Sequence, residues 1–150
     1  AKHITTTAKK PIPFRYFHDE VGFNYRLPNL NAALGCAQLE SLPIFLEAKR
    51  RLAVDYRLAF SAFEKADFVE EPASGQSNYW LNSVKLDSAL ANEMDDVLEE
   101  AAKMGIGLRP AWELLFELPM YRDCPRMRCT NAKHLVKRLL TLPSSPKLRL

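Results

Sequence analysis

Apolar residues recur at helical spacing from residue 29 to residue 66. One helical face carries Leu30, Ala33, Leu34 and Ala37, and beyond Pro43 it resumes with Phe45, Ala48, Leu52, Tyr56, Ala59 and Phe63. This spacing predicts either two consecutive helices or one bent connecting helix. Because proline lacks an amide hydrogen and crowds the turn before it, we expect any break at Ser41 and Leu42, with Pro43 in the first turn of the second helix.

After Asp67 the pattern changes to short runs that are typical of strands. Two such runs cover residues 68–71 and 78–86, and apolar residues recur at even spacing in the second. Ser88 can then cap a helix, which Gly105 ends with a left-handed residue. The apolar face of this helix carries Leu90, Met94, Val97, Ala101 and Met104.

The last third of the chain predicts two short strands around a helix. A strand over residues 106–108 is stopped by Pro110. Thr130 caps a helix that runs to Leu139, and the tail 142–150 forms a short strand. The order helix, strand, strand, helix, strand, helix, strand predicts an α+β fold with a small antiparallel sheet.

The first 29 residues lack both helical and alternating periodicity, so we expect an irregular segment there. The segment contains an aromatic cluster at Phe14, Tyr16 and Phe17. Because such a cluster is unfavourable in water, the segment should pack against a partner surface or line a pocket.

The composition is that of a soluble globular protein. Of the 150 residues, 47% are hydrophobic and 26% are charged, which supports a real core and excludes disordered and collagen-like classes. No apolar run approaches the roughly 20 residues of a membrane-spanning helix. The formal charge of +3 has both signs interspersed, which is too mild to imply a nucleic-acid partner.

The cysteine count predicts reduced thiols and no metal site. Cys36, Cys124 and Cys129 are odd in number, and the two that are close in sequence have no second pair. This usage indicates a cytoplasmic protein. The start, AKHITTTAKK, has neither an initiator Met nor the apolar core of a signal peptide, so we expect a fragment of a longer polypeptide.

Isolated histidines and tryptophans give weaker indications. His18 precedes Asp19 and Glu20, which either orient its imidazole or simply form a solvated polar group with it. His134 is predicted on the surface of the last helix. Trp80, within a predicted strand, is expected in the core.

Residues 18–40 place hydrogen-bond donors in a turn directly before an apolar helix. Asn24 and Arg26 alternate with Phe23 and Tyr25, so in an extended turn the polar side chains face one way and the rings the other. An arginine fork and a neutral amide suit a phosphate group. The competing interpretation, which spacing alone favours, is a surface ion pair of Arg26 with one of the two acidic residues just before the turn.

The stretch GFNYRLPNLNAALGCAQLE resembles a motif of the DegT/DnrJ/EryC1/StrS family of pyridoxal-phosphate (PLP)-dependent nucleotide-sugar aminotransferases. Further resemblance lies in KHITTTAK upstream and in GIGLRPAW, LPMY and LPSS downstream. These segments resemble the branch that makes 4-amino sugars for legionaminic-acid-type nonulosonates or similar surface glycans. The resemblance spans nearly the whole chain, is strongest at 18–40 and is weakest at 66–104.

The resemblance implies the small C-terminal domain of a fold-type I, aspartate-aminotransferase-like PLP enzyme, in which two subunits share each active site. Residues 1–28 are then an active-site and dimer-interface segment of the large domain, 29–66 the connecting helices and 67–150 the small α+β domain. The implied reaction transfers an amino group from glutamate to a 4-keto-6-deoxy nucleotide sugar.

Roles for single residues also follow from the resemblance. Asn24 is the first candidate, and Arg26 the second, to reach across the homodimer to the cofactor phosphate bound by the other subunit. His18 and Tyr25 are candidate substrate contacts, although packing is the favoured role for Tyr25.

Arg109 and Trp112 occupy a stretch that in many relatives carries an aromatic–proline–leucine–histidine run along the sugar pocket. This sequence has no histidine there. Arg109 and Trp112 could instead contact the nucleotide sugar through a charged fork and a stacking ring. A core role for Trp112 is slightly favoured over this one.

In the family pattern, the lysine that binds the cofactor covalently comes before the segment that KHITTTAK resembles, so we expect it outside residues 1–150. Lys2, Lys9 and Lys10 are the only early lysines, and none has the expected surroundings. The chain alone should therefore hold no catalytic residue and be inactive.

Two other function classes stay open. A stand-alone dimerisation or regulatory module is favoured by the missing lysine and disfavoured by the retained GFNYR turn. A nucleic-acid binder would use the basic residues within 49–51, 126–128 and 133–138. Because these residues are split among three elements without an aromatic stacking platform, a solvated surface is the favoured interpretation.

Overall fold

The computed structural model describes residues 1–13 and 15–149, with only the main chain described at Arg15 and Tyr16. Phe14, part of the predicted aromatic cluster, lies outside the described residues. The chain forms two compact units, Ala1–Leu42 and Pro43–Leu150. The division at residues 28 and 66 that the resemblance implies refers to a larger protein and stays a prediction.

The unit Ala1–Leu42 begins with a short helix and a hairpin, where the sequence predicted an irregular segment. Helix α1 spans Lys2–Thr5, and strands β1 (Lys9–Ile12) and β2 (Arg15–His18) pair antiparallel. The prediction was wrong because β1 is exposed along its whole length. Main-chain hydrogen bonds hold β1 against β2. Because neither face of β1 is buried, its sequence needs no alternation of hydrophobic and polar residues.

Two consecutive left-handed residues, Thr7 (φ 70°) and Ala8 (φ 51°), connect α1 to β1. Left-handed backbone strains residues other than glycine and persists only where the surroundings fix it. Ala8 is fully buried; its amide donates to the carbonyl of His3 (2.8 Å), and its carbonyl accepts from the amide of Asp19 (3.3 Å). Only glycine fits at position 22, because a Cβ on Gly22 would lie 2.5 Å from the carbonyl carbon of Thr7.

Residues 22–25 run antiparallel to the end of α1. Thr6 and Asn24 form an isolated antiparallel bridge. Three main-chain hydrogen bonds surround this bridge, from the amides of Phe23 to Ile4 (2.7 Å), of Thr7 to Phe23 (3.0 Å) and of Tyr25 to Thr5 (3.0 Å). Main-chain hydrogen bonds therefore hold the turn before α2 in place without help from side chains.

Helix α2 spans Asn29–Ser61 as one continuous helix. One helix, rather than two, is thus confirmed, and the break expected at Ser41 and Leu42 does not occur. Pro43 lies inside the helix, where it forfeits one hydrogen bond without ending the element. The buried residues of α2 all follow the proline: Ala48, Leu52 and Ala53.

The unit Pro43–Leu150 is built on a four-stranded antiparallel sheet in the order β3–β4–β6–β5. The strands are β3 (Ala66–Phe68), β4 (Asn82–Leu86), β5 (Arg109–Pro110) and β6 (Leu139–Leu142). Helix α3 (Met94–Lys103) and the second half of α2 cover one face of the sheet, where the core lies. The buried apolar side chains of this core are Ala66, Val84, Leu86, Met94, Leu140 and Leu142.

Helix α3 begins later than predicted. A 3-10 turn at Ser88–Leu90 precedes it, and Asp87 rather than Ser88 caps that turn, because the Oδ1 of Asp87 accepts from the amide of Ala89 (2.8 Å). The predicted end is confirmed, since Gly105 is left-handed (φ 74°).

Strand β5 also starts later than the predicted strand at 106–108. Pro110, which was expected to stop the strand, is part of it. Proline is tolerated here because β5 lies at the edge of the sheet, and the ladder continues through the amide of Ala111, which donates to the carbonyl of Leu139 (2.9 Å).

Helix α4 spans Thr130–Val136, and the left-handed Cys129 (φ 48°) occupies the cap position predicted for Thr130. Leu139 was predicted as the end of this helix but belongs to β6, because pairing with β4 outweighs the helical spacing. The tail predicted as a strand at 142–150 instead contains a 3-10 turn at Pro146–Leu148.

The element order of this unit is α2, β3, β4, α3, β5, α4 and β6, which is the predicted order and confirms an α+β fold. Within the described residues, none of the helices combines the length and apolar character that a membrane-spanning helix needs.

Candidate functional site

The turn before α2 presents an amide and a guanidinium to solvent. Asn24 and Arg26 are both exposed, and the Oδ1 of Asn24 accepts from the amide of Arg26 (3.3 Å). The rings of Phe23 and Tyr25 stack with centroids 5.8 Å apart, which confirms the predicted placement of the two rings on one side. Tyr25 is 74% exposed, so it packs on its neighbour and not in a core.

The proposed surface ion pair of Arg26 with a preceding acidic residue is wrong. Asp19 instead contacts the Nε2 of His3 (2.6 Å) through Oδ1 and the Nζ of Lys10 (3.2 Å) through Oδ2. Glu20 lies 3.7 Å from the same His3 nitrogen. The hydrogen bond with His3 is the main cause that lowers the pKa of the Asp19 carboxyl. Among the described ion pairs Arg26 is absent, so its charge is available to a ligand.

His3 was not identified from the sequence, because 16 residues separate it from Asp19 and the hairpin that joins them was not predicted. The ligand atoms of His3, Asp19 and Glu20 lie within 4.8 Å of one another, a spacing that a cation could use. The ammonium of Lys10 already neutralises one oxygen of Asp19, however. The cluster is therefore best described as an exposed ion-pair network.

His18 is held by the main chain and not by the adjacent acidic residues. Its Nδ1 lies 2.6 Å from the carbonyl oxygen of Thr7, which only accepts, so Nδ1 carries the proton. The Nε2 of His18 is consequently left for solvent or a ligand. His134 is exposed, as predicted.

The three early lysines have different surroundings. Lys10 is ion-paired with Asp19, and Lys9 also has an interaction partner. Lys2 is exposed and takes part in no described ion pair. The carbonyl of Lys2 accepts hydrogen bonds from the hydroxyls of Thr5 (3.2 Å) and Thr6 (2.8 Å), so its main chain is held in place while its amine is available.

In the second unit, Arg109 and Trp112 are both exposed, Trp112 to 78%. The favoured core role for Trp112 was therefore wrong: the residue follows an edge strand, beyond which no further strand of the sheet lies. Trp80 is 65% exposed and precedes β4, so its predicted core role was wrong as well. Its amide is bound by the side chain of Asn78 (2.9 Å), which fixes a loop rather than a strand.

Basic residues of α2 are used inside this unit. Arg50 forms a two-fold contact with Glu71 (2.7 and 3.1 Å), which lowers the pKa of the Glu71 carboxyl, and it lies 5.7 Å from the ring centre of Tyr79. Lys49 donates to the carbonyls of Trp80 (3.1 Å) and Ser144 (2.6 Å), and burial lowers its pKa. These contacts, which sequence analysis missed, further disfavour a nucleic-acid-binding role for residues 49–51.

Known proteins match this chain in sequence and in structure. The DegT/DnrJ/EryC1/StrS aminotransferase family matches residues 4–150. The chain is 36% identical over 135 residues to the GDP-perosamine synthase of Vibrio cholerae, which covers 89% of this chain and 36% of that protein.

Solved structures share its fold. Helicobacter pylori PseC, an aminotransferase involved in the biosynthesis of pseudoaminic acid, has a TM-score of 0.86 at 19% identity over 99% of this chain and 41% of that one. Spr1654 from Streptococcus pneumoniae in its PLP form has a TM-score of 0.78 at 20% identity over 97% of this chain and 38% of that one. The predicted fold, that of fold-type I PLP aminotransferases, is confirmed. The chain spans about a third of the length of the curated relatives it matches.

Proposed function

Because the chain belongs to the DegT/DnrJ/EryC1/StrS aminotransferase family, we propose that it is part of an enzyme that transfers an amino group from glutamate to a 4-keto-6-deoxy nucleotide sugar. The 36% identity to a GDP-perosamine synthase supports a nucleotide-sugar substrate. We further propose that the enzyme belongs to the branch of the family that makes 4-amino sugars for legionaminic-acid-type nonulosonates. PLP, when bound, carries the amino group between the two substrates.

The hydrogen bond within the turn before α2 is the observation that carries the proposal. The Oδ1 of Asn24 accepts from the amide of Arg26, so the Nδ2 of Asn24 is the group left to donate. A phosphate offers acceptors only, and an unpaired arginine beside an amide donor suits it. Asn24 is the first candidate for holding the cofactor phosphate, and Arg26 is the second. His18 and Tyr25 are candidate substrate contacts in the same unit.

The covalent attachment of the cofactor needs an amine that is not engaged elsewhere. As the resemblance implies, we propose that this lysine lies outside residues 1–150. The early lysines do not change this proposal: Lys10 is ion-paired with Asp19, Lys9 has an interaction partner, and Lys2 is an exposed side chain.

The complete enzyme is proposed to be a homodimer in which Asn24 and Arg26 reach the cofactor of the other subunit. Mixing two full-length variants tests this arrangement: one has the cofactor-binding lysine replaced by alanine, and the other is Asn24→Ala, assayed at a PLP concentration too low to load it. If the residues act across the dimer, a mixed dimer keeps one site with neither substitution, and about a quarter of the sites should recover. If both residues act within one subunit, mixing restores no activity.

The activity itself is tested with the full-length protein, PLP, glutamate and GDP-linked or UDP-linked 4-keto-6-deoxy sugars. We expect a product in which an amine replaces the ketone, detected by mass spectrometry. Residues 1–150 alone should give no product, because most of the length of the relatives lies outside them. Absence of product from the full-length protein with every keto sugar would contradict the proposed reaction.

A further inference from the structure

The face of the four-stranded sheet that lies opposite the core carries a row of polar side chains. Thr141 of β6 pairs with Ser83 of β4 on one side and with Arg109 of β5 on the other. Side chains alternate between the two faces along a strand, and Val84 and Leu140, the next residues in β4 and β6, are buried in the core. Ser83, Thr141 and Arg109, here called the Arg109 row, therefore share the opposite face.

The Arg109 row offers donors that the described part of the chain does not use. Among the described residues, the hydroxyls of Ser83 and Thr141 have no hydrogen-bond partner, and Arg109 has no ion-pair partner. Lys85, the next residue of β4 on this face, is neutralised by Asp67 of β3 (3.0 Å). The guanidinium of Arg109 is thus the uncompensated charge beside two unused hydroxyls.

We propose that the Arg109 row binds the diphosphate of the nucleotide sugar, an inference that rests on the proposed function. The guanidinium matches phosphoryl oxygens with its planar fork, and both hydroxyls can donate to them. Neighbouring strands lie about 4.8 Å apart, so the row extends over roughly 10 Å. This length suits two linked phosphoryl groups better than a single carboxylate.

The test uses the full-length enzyme with its nucleotide sugar, and calorimetry with GDP and UDP as probes. Arg109→Ala should raise the KM for the nucleotide sugar and the Kd of the bound nucleoside diphosphate roughly ten- to hundred-fold, as expected for a charge-assisted contact. Thr141→Val keeps the β-branched shape of the strand residue and should raise both about two- to tenfold. The KM for glutamate should not change.

Arg128→Ala is the matched control, because Arg128 is an exposed arginine of the same unit outside the row. Unchanged nucleotide-sugar KM and nucleotide Kd in Arg109→Ala, or a rise in the glutamate KM alone, would overturn the inference. The second result would assign the row to a carboxylate. If the wild-type protein binds GDP or UDP through Arg109 yet transfers no amino group, the row stands and the proposed function fails.

Discussion

Asn24 is the residue whose loss should most specifically weaken cofactor binding. Asn24→Ala in the full-length protein removes a donor to a charged phosphate, so the Kd for PLP should rise roughly ten- to hundred-fold. Asn24→Asp should weaken binding further, because a carboxylate repels the phosphate. Absorbance of the bound cofactor, measured against PLP concentration, follows both variants. Wild-type retention of PLP in both variants would remove Asn24 from the site.

Single residues were predictable where the signal was local. The alternation of Asn24 and Arg26 with two rings lies within four consecutive residues, and the stacked rings agree with it. The contact of His3 with Asp19 depends on a turn of two left-handed residues that no sequence pattern announces. Trp80 and Trp112 were misplaced because residue type alone does not say whether a ring lies within a strand or in the chain beside one.

Gly22 fixes the turn before α2 against the end of α1, and its substitution tests this element. In Gly22→Ala the new Cβ would meet main-chain atoms of Thr7 and Ala8, so we expect a destabilisation of roughly 1–3 kcal/mol. Hydrogen exchange in the full-length protein should accelerate at the amides of residues 4–8 and 22–25.

Gly35→Ala is the matched control for this substitution. Gly35 lies within α2, and a Cβ there meets nothing within 4 Å. Alanine should therefore stabilise the helix by roughly 0.5–1 kcal/mol. Slower or unchanged exchange at residues 22–25 in Gly22→Ala would show that the close approach does not hold the turn.

Helices and strands were predictable where one face of the element is buried in the core, because burial gives the sequence a hydrophobic period. The long helix and the order of strands after it follow from such periods, since α2 and β4 each bury one face. The β1–β2 hairpin has no buried face along β1 and gave no signal. The boundary between α4 and β6 was predicted too late in the chain. The spacing of Leu135 and Leu139 fits a helix, but Leu139 pairs with β4 instead.

At the scale of the whole molecule, the 150-residue chain should associate with itself. The first half of α2 exposes several leucines, among them Leu30 (81%), Leu34 (63%) and Leu39 (66%). Apolar surface of this kind favours contacts between copies. Sedimentation velocity should show mass rising with concentration, and Leu30→Gln with Leu34→Gln should reduce the rise. A monomer at every concentration would contradict this expectation.

Family and fold were predictable from one long motif, but the arrangement of the whole enzyme was not. Periodicity reports which residues are buried within a chain, whereas a shared active site depends on contacts between chains and on residues beyond this stretch. The position of the covalent lysine shows the difference, because the resemblance places it outside residues 1–150, where the periodicity of this chain carries no information.

Borohydride reduction of the full-length protein loaded with PLP, followed by peptide mapping, tests most directly the claim that this chain helps to complete a cofactor site whose covalent lysine lies elsewhere in the enzyme. Reduction fixes the cofactor to the lysine that holds it. We predict that the labelled peptide lies outside residues 1–150 and that the yellow colour is lost on reduction. A label on a lysine within residues 1–150, or a protein that takes up no PLP, would contradict this account.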